Sequence, residues 1–229
     1  GWRAVAAFAA VAGVVIAVSI WKAGRTDSAG RFPWRSMSFV VALCLAGAYF
    51  AGIVYAGKPG EFVRALVRLD AGSGKISWIC EGLTAGPRTE SKTVTHASPT
   101  PVTDGRRIYA YFGEDGLICV DPNGGLLWKR AEPMFRCHFG AGTSPIVRND
   151  SVVIVSDVMA CDDLSSSITA FEGSSGQPLW QKTRESDKEY ATYNTPKMVS
   201  LNGQDIVVVH GWKGLQGYDL ETGQELWSY

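Results

Sequence analysis

Residues 214–229 read GLQGYDLETGQELWSY: an apolar strand, an acidic residue, a glycine four positions before a tryptophan, and that tryptophan on a second strand. This is the chemistry of a β-hairpin. Asp219 can accept backbone N–H groups across the turn, Gly223 tolerates positive φ, and Trp227 gives the second strand a large apolar surface. Three further copies stand upstream: ALVRLDAGSGKISW ending at Trp78, GLICVDPNGGLLW ending at Trp128, and SITAFEGSSGQPLW ending at Trp180. In each, a glycine (Gly74, Gly124, Gly176) precedes the tryptophan by four residues. An acidic residue (Asp70, Asp121, Glu172) opens the turn, which is one residue shorter in the second copy.

The tryptophans recur about every 50 residues, the length of one propeller blade. The stretch before each hairpin has its own echo. ASPTPVTDGRRIYAYFG from Ala97, TSPIVRNDSVVIVSD from Thr143 and NTPKMVSLNGQDIVVVHG from Asn194 each give Ser/Thr-Pro, a short strand, a polar turn and a strand of β-branched or aromatic residues. One unit is therefore four strands. In the first complete unit, strand A is expected over Thr100–Thr103, B over Arg107–Gly113, C over Leu117–Asp121 and D over Gly125–Arg130. Pro99 and Pro145 fall where strand A begins, a position that tolerates a missing N–H. The expected fold class is all-β: a β-propeller of four-stranded antiparallel blades over 58–229. It has three full blades (about 95–130, 143–182 and 194–229) and an orphan hairpin at 61–80.

These hairpins resemble the PQQ-like, or quinoprotein-type, β-propeller repeat family. Its consensus of Asp, Thr/Ser-Gly-Lys/Gln and Trp is matched at Asp70, Ser73, Gly74, Lys75 and Trp78, and again at Asp219, Thr222, Gly223, Gln224 and Trp227. The two middle copies match more loosely. The resemblance implies that Trp78, Trp128, Trp180 and Trp227 are structural docking pegs lying flat on a neighbouring blade, each contributing roughly 3 kcal/mol. A closed propeller needs at least about four blades. The chain starts on Gly1 and finishes on a D strand, and the expectation is a fragment of a longer protein.

The first quarter, 1–57, differs in kind. Ala4–Ile20 and Ser38–Gly57 carry no charge, and at 1.5 Å per residue each is long enough to span a bilayer core. Two transmembrane helices, about 4–21 and 38–57, are expected to precede the propeller, with Trp2, Trp21, Trp34 and Tyr55 at the interfaces. The loop between them holds Lys22, Arg25, Arg31 and Arg35 against Asp27, so it should stay cytoplasmic. The propeller is then expected on the periplasmic or extracytoplasmic side of the inner membrane.

Charge excludes one class of partner. The 22 Lys+Arg balance 22 Asp+Glu, and no basic stripe lies outside the membrane loop, so no nucleic-acid footprint is read. Among the cysteines, Cys44 reads as a small apolar residue of the second membrane helix, Cys119 as core, and Cys80 has no evident partner. Cys137 and Cys161 fall at one rim and form a candidate disulfide in an oxidising compartment, with connectivity left open. No zinc spacing is present.

In a propeller the D-to-A and B-to-C connections share one face around the central channel. Candidate binding residues there are His96, His138, Asn194, His210, Trp212 and Asp157, and all three histidines of the chain fall in this set. Asp162 and Asp163 are weak candidates for a hard cation. The reading adopted is a membrane-anchored, extracytoplasmic binding or scaffold module for protein or ligand partners. Its mode of action is similar to that of the outer-membrane assembly lipoprotein. One alternative is a membrane-bound pyrroloquinoline-quinone-dependent dehydrogenase of sugars or alcohols, which would carry the quinone and Ca²⁺; its Cys-Cys pair and its Asp, Glu and Asn set are not matched here. A second alternative is an extracytoplasmic sensor domain.

Overall fold

The computed structural model describes residues 20–23, 41–44, 49–57, 62–85, 97–131, 141–157, 165–185, 192–212 and 214–229. Seventeen strands are formed among them. The first sheet contains β1 (Ile20–Ala23), β2 (Val41–Cys44), β3 (Tyr49–Gly57), β4 (Phe62–Leu69) and β5 (Ile76–Ala85). Three four-stranded sheets follow. They are β6 (Val102–Thr103) to β9 (Leu126–Arg130), β10 (Ile146–Arg148) to β13 (Pro178–Thr183), and β14 (Lys197–Leu201) to β17 (Glu225–Ser228). The strands between are β7 (Ile108–Tyr111) and β8 (Leu117–Val120), β11 (Ser151–Ser156) and β12 (Ser167–Glu172), and β15 (Gln204–Gly211) and β16 (Gly214–Asp219). Each of the three is an antiparallel meander in chain order, so each repeat unit closes on its own hydrogen bonds.

The hairpins fold as their composition dictates. Asp70 Oδ1 accepts the Ser73 amide at 2.7 Å, Asp121 Oδ1 accepts those of Asn123 and Gly125 at 2.7 and 2.9 Å, and Asp219 Oδ1 accepts that of Thr222 at 2.8 Å. The glycines four before each tryptophan have φ of 66°, 92°, 72° and 68°. A β-bulge interrupts the C–D pairing of every sheet, at Arg68/Leu69, Cys119/Val120, Ala170/Phe171 and Gly217/Tyr218.

The first sheet differs from two expectations. Residues 38–57 were expected to be helical, yet the described part is strand: β3 pairs antiparallel with β4 from Tyr49↔Arg68 to Val54↔Val63, and β2 pairs with β3 from Val41↔Gly52 to Cys44↔Tyr49. The segment is rich in aromatic and β-branched residues such as Tyr49, Phe50, Ile53 and Val54, which suit a strand as well as a bilayer. The hairpin at β4–β5 is therefore not an orphan. With β2 and β3 it makes the same four-strand meander as the other sheets, and β1 adds in parallel beside β3. Residues 4–19 of the first expected helix lie outside the described residues. Among those described, no helix is long and apolar enough to cross a membrane.

The core is not one mass but three seams between successive sheets. Leu66, Cys80 and Leu83 of the first pack on Ile108, Ala110, Ile118 and Val120 of the second. Tyr109, Leu117 and Cys119 pack on Val152, Ile154 and Phe171 of the third, and Ile168, Ala170 and Trp180 pack on Val207, Val209 and Tyr218 of the fourth.

At each seam the tryptophan of one blade sits on the turn of the next. Trp78 Nε1 donates to Pro122 O at 3.1 Å, Trp128 Nε1 to Gly173 O at 2.8 Å, and Trp180 Nε1 to Leu220 O at 2.8 Å. A Cβ on Gly124, Gly176 or Gly223 would approach the docked indole closer than 3.0 Å. The turn glycine is thus needed twice, for its φ and for the flat surface it offers the preceding tryptophan.

Two more links repeat along the seams. The Thr100 amide donates to Ser144 Oγ at 2.8 Å and the Ser144 amide to Thr195 Oγ1 at 3.0 Å, so the residues before the strand-A prolines of the second, third and fourth blades are linked from blade to blade. In the A–B turns, Arg107 reaches Asp150 at 2.5 Å and Arg148 reaches Asp205 at 2.9 Å.

Candidate functional site

The blade meander sorts the connections onto two faces. The A–B and C–D turns lie together, as the Gly173 amide donating to Asp150 O at 2.6 Å and the Leu220 amide donating to Asp205 O at 3.0 Å show. The described parts of the B–C and D–A connections lie at the other ends of the strands, on the rim face.

There Asn194 Nδ2, just before the fourth blade's strand A, donates to His210 O at 3.1 Å and meets His210 Nδ1 at 3.1 Å. The Asn194 amide can donate to Nδ1 in the tautomer that carries the ring proton on Nε2. Both side chains are exposed. β15 and β16 pair through Gly211↔Gly214, which sets Trp212 at the tip of a two-residue turn with 56% of its surface exposed. Tyr193, beside Asn194, is 37% exposed.

Asp157 behaves differently. It directly follows strand B of the third blade, is 3% exposed, and accepts from Thr192 Oγ1. Arg184, four residues past Trp180, fixes it. Nε lies 3.1 Å from Asp157 Oδ1 at an angle too poor for a hydrogen bond, and Nη2 donates to Oδ2 at 3.5 Å. The guanidinium passes close over Gly211, where any side chain would collide with it, and its Cζ lies 5.8 Å from the centroid of the Tyr218 ring. Burial pushes the Tyr218 hydroxyl up to about 12. A second buried pair joins the first two blades: Arg64 Nε donates to Asp115 Oδ2 at 2.5 Å, with both side chains 1% exposed. Burial also raises the Tyr111 hydroxyl, which lies 3.5 Å from Ser156 Oγ across the seam between the second and third blades.

Of the residues singled out from sequence, the structure brings Asn194 and His210 together, places Trp212 two residues beyond on the same face, and buries Asp157 away from solvent. His96, His138, Asp162 and Asp163, and the Cys137–Cys161 pair, lie outside the described residues. Cys80 is buried within β5, which runs five residues beyond the expected hairpin end, and Cys119 is buried in the second seam; both are free thiols. Sequence reading missed Arg64, Arg184 and Thr192. Arg64 reaches its partner across a seam and Arg184 reaches its own within the third blade, and the one available signal was the pair of arginines, Arg64 and Arg68, inside the otherwise apolar run FVRALVRL of β4.

Residues 63–229 match a family described as outer membrane protein assembly factor BamB. The chain belongs to this BamB family of PQQ-like β-propeller repeats. No curated protein matches it. Among solved structures it is similar to the quinohemoprotein alcohol dehydrogenase from Comamonas testosteroni at 13% identity and a TM-score of 0.53, over 82% of this chain and 35% of that one. It is also similar to BamB from Moraxella catarrhalis at 14% identity and a TM-score of 0.43, over 85% and 67%. The chain thus spans about a third of the dehydrogenase, and at such identity the likeness is one of fold.

The dehydrogenase fold raises the question of a quinone with a bound cation. Among the described residues no three His, Cys, Asp or Glu side chains converge. The two buried rim carboxylates, Asp115 and Asp157, are each held by an arginine, so a cation would have to displace a guanidinium from either. These residues do not fit such a site, and no catalytic step follows from them.

Proposed function

We propose that this chain acts as a binding and scaffold propeller, in the manner the BamB family description implies, with its recognition surface on the rim face of the fourth blade. The observation that carries this reading is a contrast within one face. The carboxylates suited to chemistry are buried against arginine, while Tyr193, Asn194, His210 and Trp212 stand in solvent. An exposed tryptophan at a hairpin tip flanked by hydrogen-bonding side chains is the composition of a protein-interface anchor. By the same family description, the partner is a protein of outer-membrane protein assembly.

Two measurements on the full chain test the proposal. Affinity for a component of that assembly should fall on the order of thirtyfold with Trp212→Ala, the loss of an anchor worth about 2 kcal/mol. Titration with pyrroloquinoline quinone and Ca²⁺ should give no saturable binding and no turnover with a dye acceptor. Protein binding indifferent to Trp212 removes this placement, and quinone-dependent turnover replaces it with the dehydrogenase.

Membrane attachment with the propeller on the extracytoplasmic side belongs to the same proposal. The charge-free stretches Ala4–Ile20 and Ser38–Gly57 and the basic loop between them support it. It competes directly with the strand pairing of Tyr49–Gly57. Alkaline extraction decides: a chain retained in the membrane supports the helices, and a chain released leaves β3 in the sheet. A reporter fused at Tyr229 that is active only in the cytoplasm refutes the orientation.

A further inference from the structure

The chain contains two Asn-Gly dipeptides, Asn123-Gly124 and Asn202-Gly203, and the fold treats them in opposite ways. Asn123-Gly124 lies in the second blade's C–D turn. Asp121 Oδ1 holds the Asn123 amide at 2.7 Å, the Gly124 amide donates to Asp121 O at 3.0 Å, and the docked Trp78 indole covers Gly124. Asn202-Gly203 forms the two-residue A–B turn of the fourth blade, closed by the Leu201↔Gln204 pair. Asn202 has φ 51° and Gly203 φ 82°, both are exposed, and a Cβ on Gly203 would meet nothing within 4 Å.

We infer that Asn202 is a site of spontaneous backbone modification, and that Asn123 is protected from the same chemistry by the blade seam. The Gly203 amide nitrogen attacks Asn202 Cγ. The N–Cγ bond forms, the Cγ–Nδ2 bond breaks, and ammonia leaves with the amide proton. Water then opens the cyclic imide at one of its two carbonyls, giving aspartate or an isoaspartyl linkage. Attack requires the Asn202 backbone to rotate out of its left-handed conformation, which an uncovered turn permits and a turn clamped under an indole resists. Asparagine is among the thermolabile residues for this reason. The product adds a negative charge to the turn whose Asp205 already accepts from Ser200 of its own blade and from Arg148 and Asn149 across the third seam. The isoaspartyl form also lengthens a two-residue turn that sets the β14–β15 register.

The test is ageing of the intact folded chain in mildly alkaline buffer, followed by tryptic peptide mass analysis. Residues 108–129 and 198–213 form two peptides with one asparagine each. Asn202 should convert on the order of tenfold faster than Asn123 while the chain is folded, and the two should convert at equal rates in denaturant. Gly203→Ala should slow conversion at Asn202 and leave Asn123 unchanged. Equal rates in the folded chain, or conversion of neither site until denaturant is added, overturns the inference.

Discussion

Trp180→Ala probes the seam that joins the third and fourth blades. The indole is 9% exposed, packs with Val207, Val209, Tyr218 and Leu220, and donates to Leu220 O at 2.8 Å. Truncation removes most of a buried aromatic, at about 3–5 kcal/mol, and leaves a carbonyl without its donor, at about 1 kcal/mol more where water does not replace it. A loss near 4 kcal/mol corresponds to a fall of roughly 10 °C in Tm for a chain of this size. Trp227 supplies the internal control. It occupies the same hairpin position, but it is only half-buried, and its ring contact is Tyr229 at 5.9 Å and 50°. Trp227→Ala should therefore cost less than Trp180→Ala, in proportion to the smaller buried area. Urea unfolding of both variants by circular dichroism makes the comparison. Equal losses would show that stability comes from the hairpin itself and not from docking on the next blade.

Other consequences follow from the same geometry. Gly223→Ala places a methyl against the Trp180 indole and strains a φ of 68°, so it should destabilise by about 1–3 kcal/mol, whereas Gly105→Ala, with open space around it, should cost less, as thermal melts would show. Arg184→Met leaves Asp157 buried and uncompensated, at about 3–5 kcal/mol, while Arg184→Met combined with Asp157→Leu should recover most of the loss; a double variant as unstable as the single one refutes the buried pair. Hydrogen bonds from Ser73 hold the Asp70 carboxyl below its ordinary value, those from Gln204 and Thr222 do so for Asp219, and those from Ser200 and Arg148 for Asp205. Each contribution is complete above the unfolded value of about 3.9 and is lost as pH falls through the folded one. Asp219→Asn should flatten the acid limb of a stability–pH curve and leave its neutral limb unchanged in slope. The Cys119 thiol, pushed up to about 12 by burial, should alkylate only on unfolding.

Much of the fold was legible because each blade states its own strands locally. The positive-φ glycine and the strand tryptophan keep a fixed offset, an acidic residue opens each turn, and Ser/Thr-Pro marks strand A, so the meanders of the second to fourth blades could be placed by period alone. The second stretch of apolar residues was not legible. A run without charge, rich in Val, Ile, Phe and Tyr, satisfies a bilayer and a buried strand equally; the structure pairs Tyr49–Val54 with Val63–Arg68, and membrane extraction distinguishes the two. At the rim, residue type and connection indicated Asn194, His210 and Trp212. They could not indicate that Asp157 is buried, because its arginine comes from the end of strand D, 27 residues on, and is held in place by Gly211 and Tyr218 of another blade.

The most direct test of the recognition face is site-specific photo-crosslinking in the full chain, with the probe at position 212 on the rim and, as control, at the exposed Arg106 position in an A–B turn on the opposite face. The account predicts a discrete protein adduct from 212 and none from 106. An adduct from 106 with none from 212 would contradict it.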